Sequence, residues 1–522
     1  MKLLFLFAPL LALLPPAFAA EPPNIVFIFS DDHALEATGC YDSWISEHAE
    51  TPNIDRIAKE GIRFLNYCCN NSICSPSRAT FVTGQYSHKN GVTQLNGAIN
   101  ESSPKYPALL GANNYQTGLF GKWHLKTVPE FYQHYEVVSG QGKYFDPTFI
   151  SREGTEKTKG YSSDVYTDHA LQWLEAREKD KPFLLCLQFK APHHDYSYPE
   201  RYDDLYADIT FPEPPTLHED CAKTSPRMRA PYWGRMAYNR AYYGRHWKDT
   251  KPPMREVKDH SDLREVASAA YQHMMLKYLR CVKAVDDNIG RVLDALEQQD
   301  LEDNTLVVYT SDQGYWLGQH GFYDKRLILE GSLRMPFVAR YPGKINPGSI
   351  CEKICNNTDW APTVLDYAGV DIPASMQGRS LRPLLEGKEV DDWRTATWYS
   401  YWGGVPNHWG VRTETHTYIR YPGTDEVELY DLETDREQVR NVASDPDYAD
   451  ALAACEKTLQ AMIKEVDISA AELPQTEGRA RHIVAPWTPE GGNPDEQRKK
   501  REREQKKKAN ERKKAAEKKK AS

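Results

Sequence analysis

Four short apolar runs in this chain each end abruptly in residues suited to chemistry. Asn24 to Phe29 leads into Ser30-Asp31-Asp32-His33, and Thr117 to Phe120 leads into Gly121-Lys122-Trp123-His124. Phe183 to Phe189 leads into Lys190-Ala191-Pro192-His193, and Thr305 to Tyr309 into Thr310-Ser311-Asp312-Gln313-Gly314. Compact apolar runs bounded by polar residues read as buried strands. Amphipathic stretches long enough for helices lie between them, most clearly Gly290 to Leu296 with an upstream partner from Asp262. Alternating strands and helices predict an α/β fold, a mostly parallel central sheet with helices on both faces. Such sheets bind ligands at the carboxyl ends of their strands. Four polar clusters at four strand ends therefore predict one site.

The pattern changes toward the carboxyl end. Between Tyr399 and Tyr430, short runs such as Gly410-Val411-Arg412 and Thr417-Tyr418-Ile419 are separated by turn residues, and a helix is expected from about Pro446 to Val466. This predicts a smaller α+β unit with an antiparallel sheet. With 522 residues the chain divides into a catalytic domain over 20–391, the smaller unit over 392–490 and a tail over 491–522. Lys2, the apolar stretch Leu3 to Leu14 and Ala17-Phe18-Ala19 read as a cleavable leader over residues 1–19. Export to a periplasm or the outside is expected, with no transmembrane segment.

Charge and cysteine content bound the function further. From Glu496 to Lys520 there are fourteen Lys or Arg and five Glu, a net of +9, so the overall −9 leaves about −18 for the rest. The basic arm reads as a solvated helix or disordered segment, with contact to a polyanion or anionic lipid as the alternative, and no nucleic-acid partner is expected. If the substrate is an anion, positive charge must be gathered locally in a cleft. The ten cysteines name no disulfide framework, although Cys351 and Cys355 are spaced so that they could pair. The stretch from Phe211 to His260 is rich in Pro, Tyr, Trp and Arg, including Arg227, Arg229, Arg235, Arg240 and Arg245, and lacks periodicity. Long loops of this kind serve as lids, binding loops or plain surface excursions.

Cys74-Ser75-Pro76-Ser77-Arg78 is the most informative short segment. Proline fits a first helical turn, and Ala79-Thr80-Phe81-Val82 continues helically. Cys74 then sits at a helix N-terminus, which favours anions and lowers a cysteine pKa. Arg78 lies one turn on and can reach back. The residues alone allow a reactive thiolate, an anion site or a structural cysteine.

These five residues look like the C-x-P-x-R signature of type I sulfatases, members of the alkaline phosphatase superfamily. The resemblance runs from Asn24 to about Ala443. It includes Thr51-Pro52-Asn53-Ile54-Asp55, the strand-end clusters, and Glu428-Leu429-Tyr430-Asp431-Leu432. It implies that a formylglycine-generating maturation enzyme oxidises Cys74 to formylglycine. The hydrated aldehyde then attacks sulfur, and the resulting adduct expels sulfate.

Asp31, Asp32 and Asp312 are hard oxygen donors at strand ends, suited to Ca²⁺ or Mg²⁺. Taken alone, adjacent aspartates after a strand also suit a cap or turn. The resemblance implies one Ca²⁺, with Cys74 as formylglycine and Gln313 completing the set, although the family more often shows Asn or His at that last position. It implies that Arg78 orients the formylglycine and that His124 assists sulfate release. Lys122, His193 and Lys325 would hold sulfate or protonate the leaving oxygen. His193 is the expected general acid, with Lys325 the alternative, and His194 beside it is unusual for the motif.

Gly318-Gln319-His320-Gly321, Asp324-Lys325-Arg326 and Ser332-Leu333-Arg334-Met335-Pro336 resemble carbohydrate sulfatases, including N-acetylglucosamine-6-sulfatases and enzymes of algal polysaccharides. His408 and Arg412 match a segment that approaches the sugar in such enzymes. The expected activity is hydrolysis of sulfate esters on a sulfated carbohydrate. The alternatives are a formylglycine-dependent phosphonate monoester or phosphodiester hydrolase, and an unmatured, non-catalytic glycan-binding protein.

Overall fold

A computed structural model describes residues 21–219, 236–237, 251–403 and 406–476. The leader, the five arginines named in the 211–260 stretch and the basic tail lie outside the described residues. The strands used below are, in chain order, β1 (Asn24–Asp31), β2 (Ile62–Phe64), β3 (Gln116–Lys122), β4 (His134–Val138), β5 (Thr148–Ile150), β6 (Thr155–Lys157), β7 (Phe183–Pro192), β8 (Thr305–Ser311), β9 (Phe337–Arg340), β10 (Ser349–Cys351), β11 (Ala396–Tyr401), β12 (His408–Thr413), β13 (His416–Arg420) and β14 (Val427–Asp431). The helices are α1 (Pro52–Lys59), α2 (Cys74–Thr83), α3 (Ser162–Ala176), α4 (Leu263–Gln298), α5 (Trp360–Ala368) and α6 (Ala449–Glu465).

The ten-stranded sheet has the order β10-β2-β9-β8-β1-β7-β3-β4-β5-β6. Its five central strands, β8, β1, β7, β3 and β4, are all parallel, and β9 returns antiparallel to β8 and β2. The four predicted strands with polar ends are thus immediate neighbours and end on one edge.

Strand alternation explains why these runs are apolar throughout. Val26, Ile28, Leu185, Leu187, Val307 and Tyr309 face a core built with α3 and α4. Ile25, Phe27, Leu184, Cys186, Leu306 and Val308 face a second core with α2 and α5, where Phe27 stacks on Trp360 at 4.4 Å. The two helical stretches expected from Asp262 to Leu296 form the single 36-residue α4, capped by Asp262, which accepts from the Arg264 amide at 2.9 Å. Within α4, Asp286 accepts from the Ile54 amide at 2.9 Å, which ties α1 to it.

Strands β11 to β14 form a four-stranded antiparallel sheet. Leu459, Met462 and Cys455 of α6 pack on Trp398, Val411, Tyr418 and Leu429 of that sheet. The smaller sheet matches the predicted fold class. Nine described cysteines, Cys351 and Cys355 among them, are free thiols. Among the described residues, no helix is long and apolar enough to cross a membrane.

Candidate active site

The parallel register brings the polar clusters to one place. Ser30 pairs with Ser311 and Gly121 with Gln188, so Asp31, Asp312, Lys122 and His193 emerge side by side. Gly121 has φ +100°, and a Cβ there would sit 2.1 Å from the Gln188 carbonyl. Only glycine lets β3 pass β7 this closely and present Lys122. Asp32 (φ 67°) and His124 (φ 56°) adopt left-handed backbone just past their strands. Such backbone in non-glycine residues is held only where surrounding contacts enforce it.

Helix α2 delivers Cys74 and Arg78. Its N-cap, Ile73, is extended and offers no side-chain cap, so the first-turn amides lie beside the cluster; Gly84 closes the helix at φ 64°. Ser75 Oγ donates to the His124 carbonyl at 2.6 Å. Ser77 Oγ donates to the Asp312 carbonyl and accepts from Asn357 Nδ2 at 3.0 Å. These bonds fix the helix to two strand ends at once.

Cys74 is 1% exposed, with Sγ 3.2 Å from Asp31 Oδ1 and 3.9 Å from Lys122 Nζ. The sequence suggested a thiol lowered by the helix N-terminus. The structure corrects this: burial pushes the thiol up to about 12, with Asp312 and Asp32 adding to it and Lys325 and Arg78 opposing. Desolvation is the largest cause, and the unmodified thiol is a poor nucleophile.

Arg78 is the hub. Its Nη1 donates to the Lys122 carbonyl at 2.7 Å and to Gln188 Oε1 at 3.0 Å. Its Nη2 lies 3.1 Å from Asp312 Oδ2 and 3.8 Å from Asp31 Oδ1, and Phe29 packs under the guanidinium at 4.8 Å.

Asp31, Asp32 and Asp312 are fully buried, and their carboxylate oxygens lie within 4.8 Å of one another. Asp32 is pushed up to about 7, mainly by burial, against the pull of Lys325 and with Asp312 and Asp324 adding to the rise. Gln313 donates through Nε2 to Asp32, while its buried Oε1 has no hydrogen-bond partner. Three crowded carboxylates and an orphaned amide oxygen form a hard-oxygen set that fits Ca²⁺.

Cations and imidazoles ring this set. Lys122 pairs with Asp31 and donates to Gln141 Oε1 at 2.5 Å. Lys325 donates to Asp32 Oδ1 at 2.6 Å; burial works against its charge, but Asp32 and the neighbouring acidic groups hold its pKa above the usual lysine value. His193 turns Nδ1 to the His194 carbonyl at 2.6 Å and leaves Nε2 3.6 Å from Asp32 Oδ2. Burial first, then Lys325, Lys122 and Lys190, hold its pKa well below the usual histidine value. His124 is pushed down to about 2 by burial and the same cations, and its buried Nδ1 has no partner. His194 instead stands 2.9 Å from Asp195 and stacks on Tyr323.

Ten of the expected residues thus meet: Asp31, Asp32, Cys74, Arg78, Lys122, His124, His193, Asp312, Gln313 and Lys325. Two do not. His408 is fully buried; its Nδ1 turns to the Pro406 carbonyl at 2.9 Å, its Nε2 accepts from the Ile328 amide at 3.3 Å, and its ring stacks on Tyr399. Arg412 is 5% exposed and pairs with Glu330 at 3.1 Å and Asn66 at 2.9 Å. It lines a separate crevice of about 710 Å³ with Glu330, Lys353 and Arg436. Both residues hold the segment after Lys325 from behind, and neither is presented to a ligand at the cluster. The sequence reading missed Lys190, Gln188 and Gln141. Lys190 stood inside a quoted cluster, whereas nothing in the sequence marked the two glutamines.

Comparison with known proteins agrees with this geometry. The sulfatase family pattern matches residues 23–370, and that of the N-sulphoglucosamine sulphohydrolase C-terminal region matches residues 318–465. An N-acetylglucosamine-6-O-sulfatase of Bacteroides thetaiotaomicron is 38% identical over 480 residues, covering 83% of this chain and 85% of that protein. A protein solved in complex with its substrate D-glucosamine-2-N,6-O-disulfate superposes with a TM-score of 0.79 at 36% identity, over 87% of this chain and 99% of that one. A phosphonate monoester hydrolase from Silicibacter pomeroyi shares the fold, with a TM-score of 0.66 at 22% identity, over 85% of this chain and 95% of that one. The chain belongs to the sulfatase family. It is an enzyme, a hydrolase of sulfuric esters.

Proposed function

We propose that this enzyme removes sulfate from a sulfated carbohydrate, using a formylglycine made from Cys74 and one Ca²⁺ held by Asp31, Asp32, Asp312, Gln313 and the modified residue 74. The observation that carries the reading is the placement of Cys74. It sits at a helix N-terminus, 3.2 Å from Asp31, inside a buried set of hard oxygen donors ringed by cations. The 38% identity to an N-acetylglucosamine-6-O-sulfatase supports a carbohydrate, and the 6-sulfate of a glucosamine is the favoured ester. The bound calcium would supply charge stabilisation for the sulfuryl oxygens and the nucleophile.

The chain's own groups divide the remaining work. Arg78 holds Asp312 and residue 74 in register. Lys122 and Lys325 offset charge that grows on sulfate and leaving oxygens. His124, whose buried Nδ1 has no hydrogen-bond partner, stands where it can assist sulfate release. His193 Nε2 and the Lys325 ammonium both stand beside Asp32, and these two are the candidates to protonate the leaving alcohol, His193 being the expected one. Residues 20–391 would carry this chemistry, and residues 392–490 would brace the Lys325 segment. The expected leader places the enzyme in a periplasm or outside the cell.

The test is sulfate release from N-acetylglucosamine 6-sulfate, glucosamine 2-N,6-O-disulfate and an algal sulfated glycan. The enzyme is co-expressed with a formylglycine-generating enzyme, and Cys74→Ala is the blank. Release from one of these, absent in the blank, supports the reading. Faster turnover of phosphonate or phosphodiester esters by fully matured enzyme overturns it.

A further inference from the structure

The turn that carries Asp32 off the end of β1 is tied at four backbone groups. Two of the ties go to the end of β8. The Asp32 amide donates to Asp312 Oδ1 at 3.1 Å, and the His33 amide donates to Ser311 Oγ at 2.9 Å. The other two go to a single hydroxyl on α4. Tyr278 Oη donates to the Asp32 carbonyl at 2.7 Å and accepts from the Ala34 amide at 2.8 Å. One side chain thus clasps residues 32–34, the stretch in which Asp32 holds φ 67°.

Left-handed backbone at an aspartate is unfavourable by itself and persists where contacts enforce it. Without the hydroxyl, a buried carbonyl and a buried amide lose their partner, and the turn can relax by rotating the Asp32 peptide. A carboxylate follows its own backbone, so Asp32 would then leave the place it shares with Asp31 and Asp312. Tyr278 is itself held from behind. It is fully buried, its ring stacks on Tyr315 at 5.9 Å and it meets Tyr196 edge-on at 5.7 Å. Those two tyrosines share a hydrogen bond at 2.5 Å. The position of the hydroxyl is therefore set by α4 and two neighbouring rings, independently of the turn it clasps.

We propose that Tyr278 is a positioning residue for the metal site: by clasping the Asp32 turn from α4, it keeps the Asp32 carboxylate in register with Asp31 and Asp312 for a divalent cation. This rests on the reading of Asp32 as a calcium ligand given above. Tyr278 acts through backbone and touches neither the carboxylate oxygens nor the reacting residue 74.

The experiment measures calcium binding by isothermal titration of chelator-treated, matured enzyme for wild type, Tyr278→Phe and Tyr41→Phe. Tyr278→Phe keeps the ring and its packing and deletes only the clasp. Tyr41→Phe is the matched control. The buried Tyr41 hydroxyl also bridges backbone groups, the Phe64 and Phe337 carbonyls and the Phe337 amide, each at 3.0 Å, but it joins β2 to β9, which supply no residue of the cluster. Tyr278→Phe should raise the calcium dissociation constant by about tenfold. Tyr41→Phe should unfold at a lower temperature yet bind calcium as wild type does. Unfolding midpoints with calcium and with chelator give a second readout: the rise that calcium produces should shrink in Tyr278→Phe and not in Tyr41→Phe. An unchanged dissociation constant in Tyr278→Phe overturns the proposal. Equal weakening in both variants also overturns it, because the loss would then be one of general packing. If wild type itself binds no calcium, the calcium reading fails, and the proposal with it.

Discussion

Arg78 Nη2 lies 3.1 Å from Asp312 Oδ2, with both side chains essentially shielded from water. One guanidinium on α2 thereby fixes the carboxylate at the end of β8. The planar fork also reaches the Lys122 carbonyl and Gln188, a geometry that lysine cannot reproduce. Arg78→Lys is expected to lower kcat/KM by on the order of a thousandfold, the scale of a lost electrostatic anchor. Steady-state kinetics at full maturation check this.

On the proposed function, the orphaned Gln313 Oε1 is one of the calcium ligands. Gln313→Ala is expected to weaken calcium binding by about tenfold or more, read as a rightward shift in calcium titrations of chelator-treated enzyme. An unshifted titration would remove Gln313 from the ligand set.

Cys74→Ala should leave sulfate release at the level of a reaction without enzyme. The change removes one small buried group, so stability should fall by only about 1 kcal/mol. Activity and thermal unfolding of the same preparation separate loss of chemistry from loss of fold.

The sequence made the centre of this molecule legible because buried parallel strands are short, apolar and abruptly ended. Asp31, Lys122, His193 and Asp312 could be placed together from that pattern alone. What stayed hidden depends on depth. Burial penalises the thiolate, and Cys74 is 1% exposed, so the expected direction reversed. His408 and Arg412 were legible as strand residues, but a short strand does not declare which face meets the main body. They turned inward, onto Ile328 and Glu330. Gln141 and Gln188 meet Lys122 and Arg78 only through tertiary packing.

His408 gives a further test. Its ring accepts from the Ile328 amide, three residues past Lys325. His408→Ala opens a cavity and frees a buried amide, so a loss of about 2–4 kcal/mol is expected. kcat should fall with it as the Lys325 segment loosens. Denaturant unfolding and kinetics on the folded fraction measure the two effects.

His273 on α4 makes stability depend on pH. Its Nε2 faces the Pro252 carbonyl at 2.9 Å, and burial, with Lys277 adding, pushes its pKa down from 6.5 to about 4. Between pH 6.5 and 4 the unfolded chain takes up a proton that the folded chain resists. Stability should therefore fall as pH drops through that window, by up to ~3 kcal/mol from this residue. His273→Gln should flatten the dependence of unfolding midpoint on pH in that range.

The seating of Cys74 sets a clock. With the residue 1% exposed and α2 bolted at Ser75 and Ser77 to two strand ends, no other enzyme can reach the thiol once the domain has closed. If formylglycine is made from Cys74 as proposed, its oxidation must precede closure of the domain, and folding and modification then compete for the same few moments. A molecule that folded first would be a well-formed but inert copy, and the specific activity of a preparation would record how that race was run.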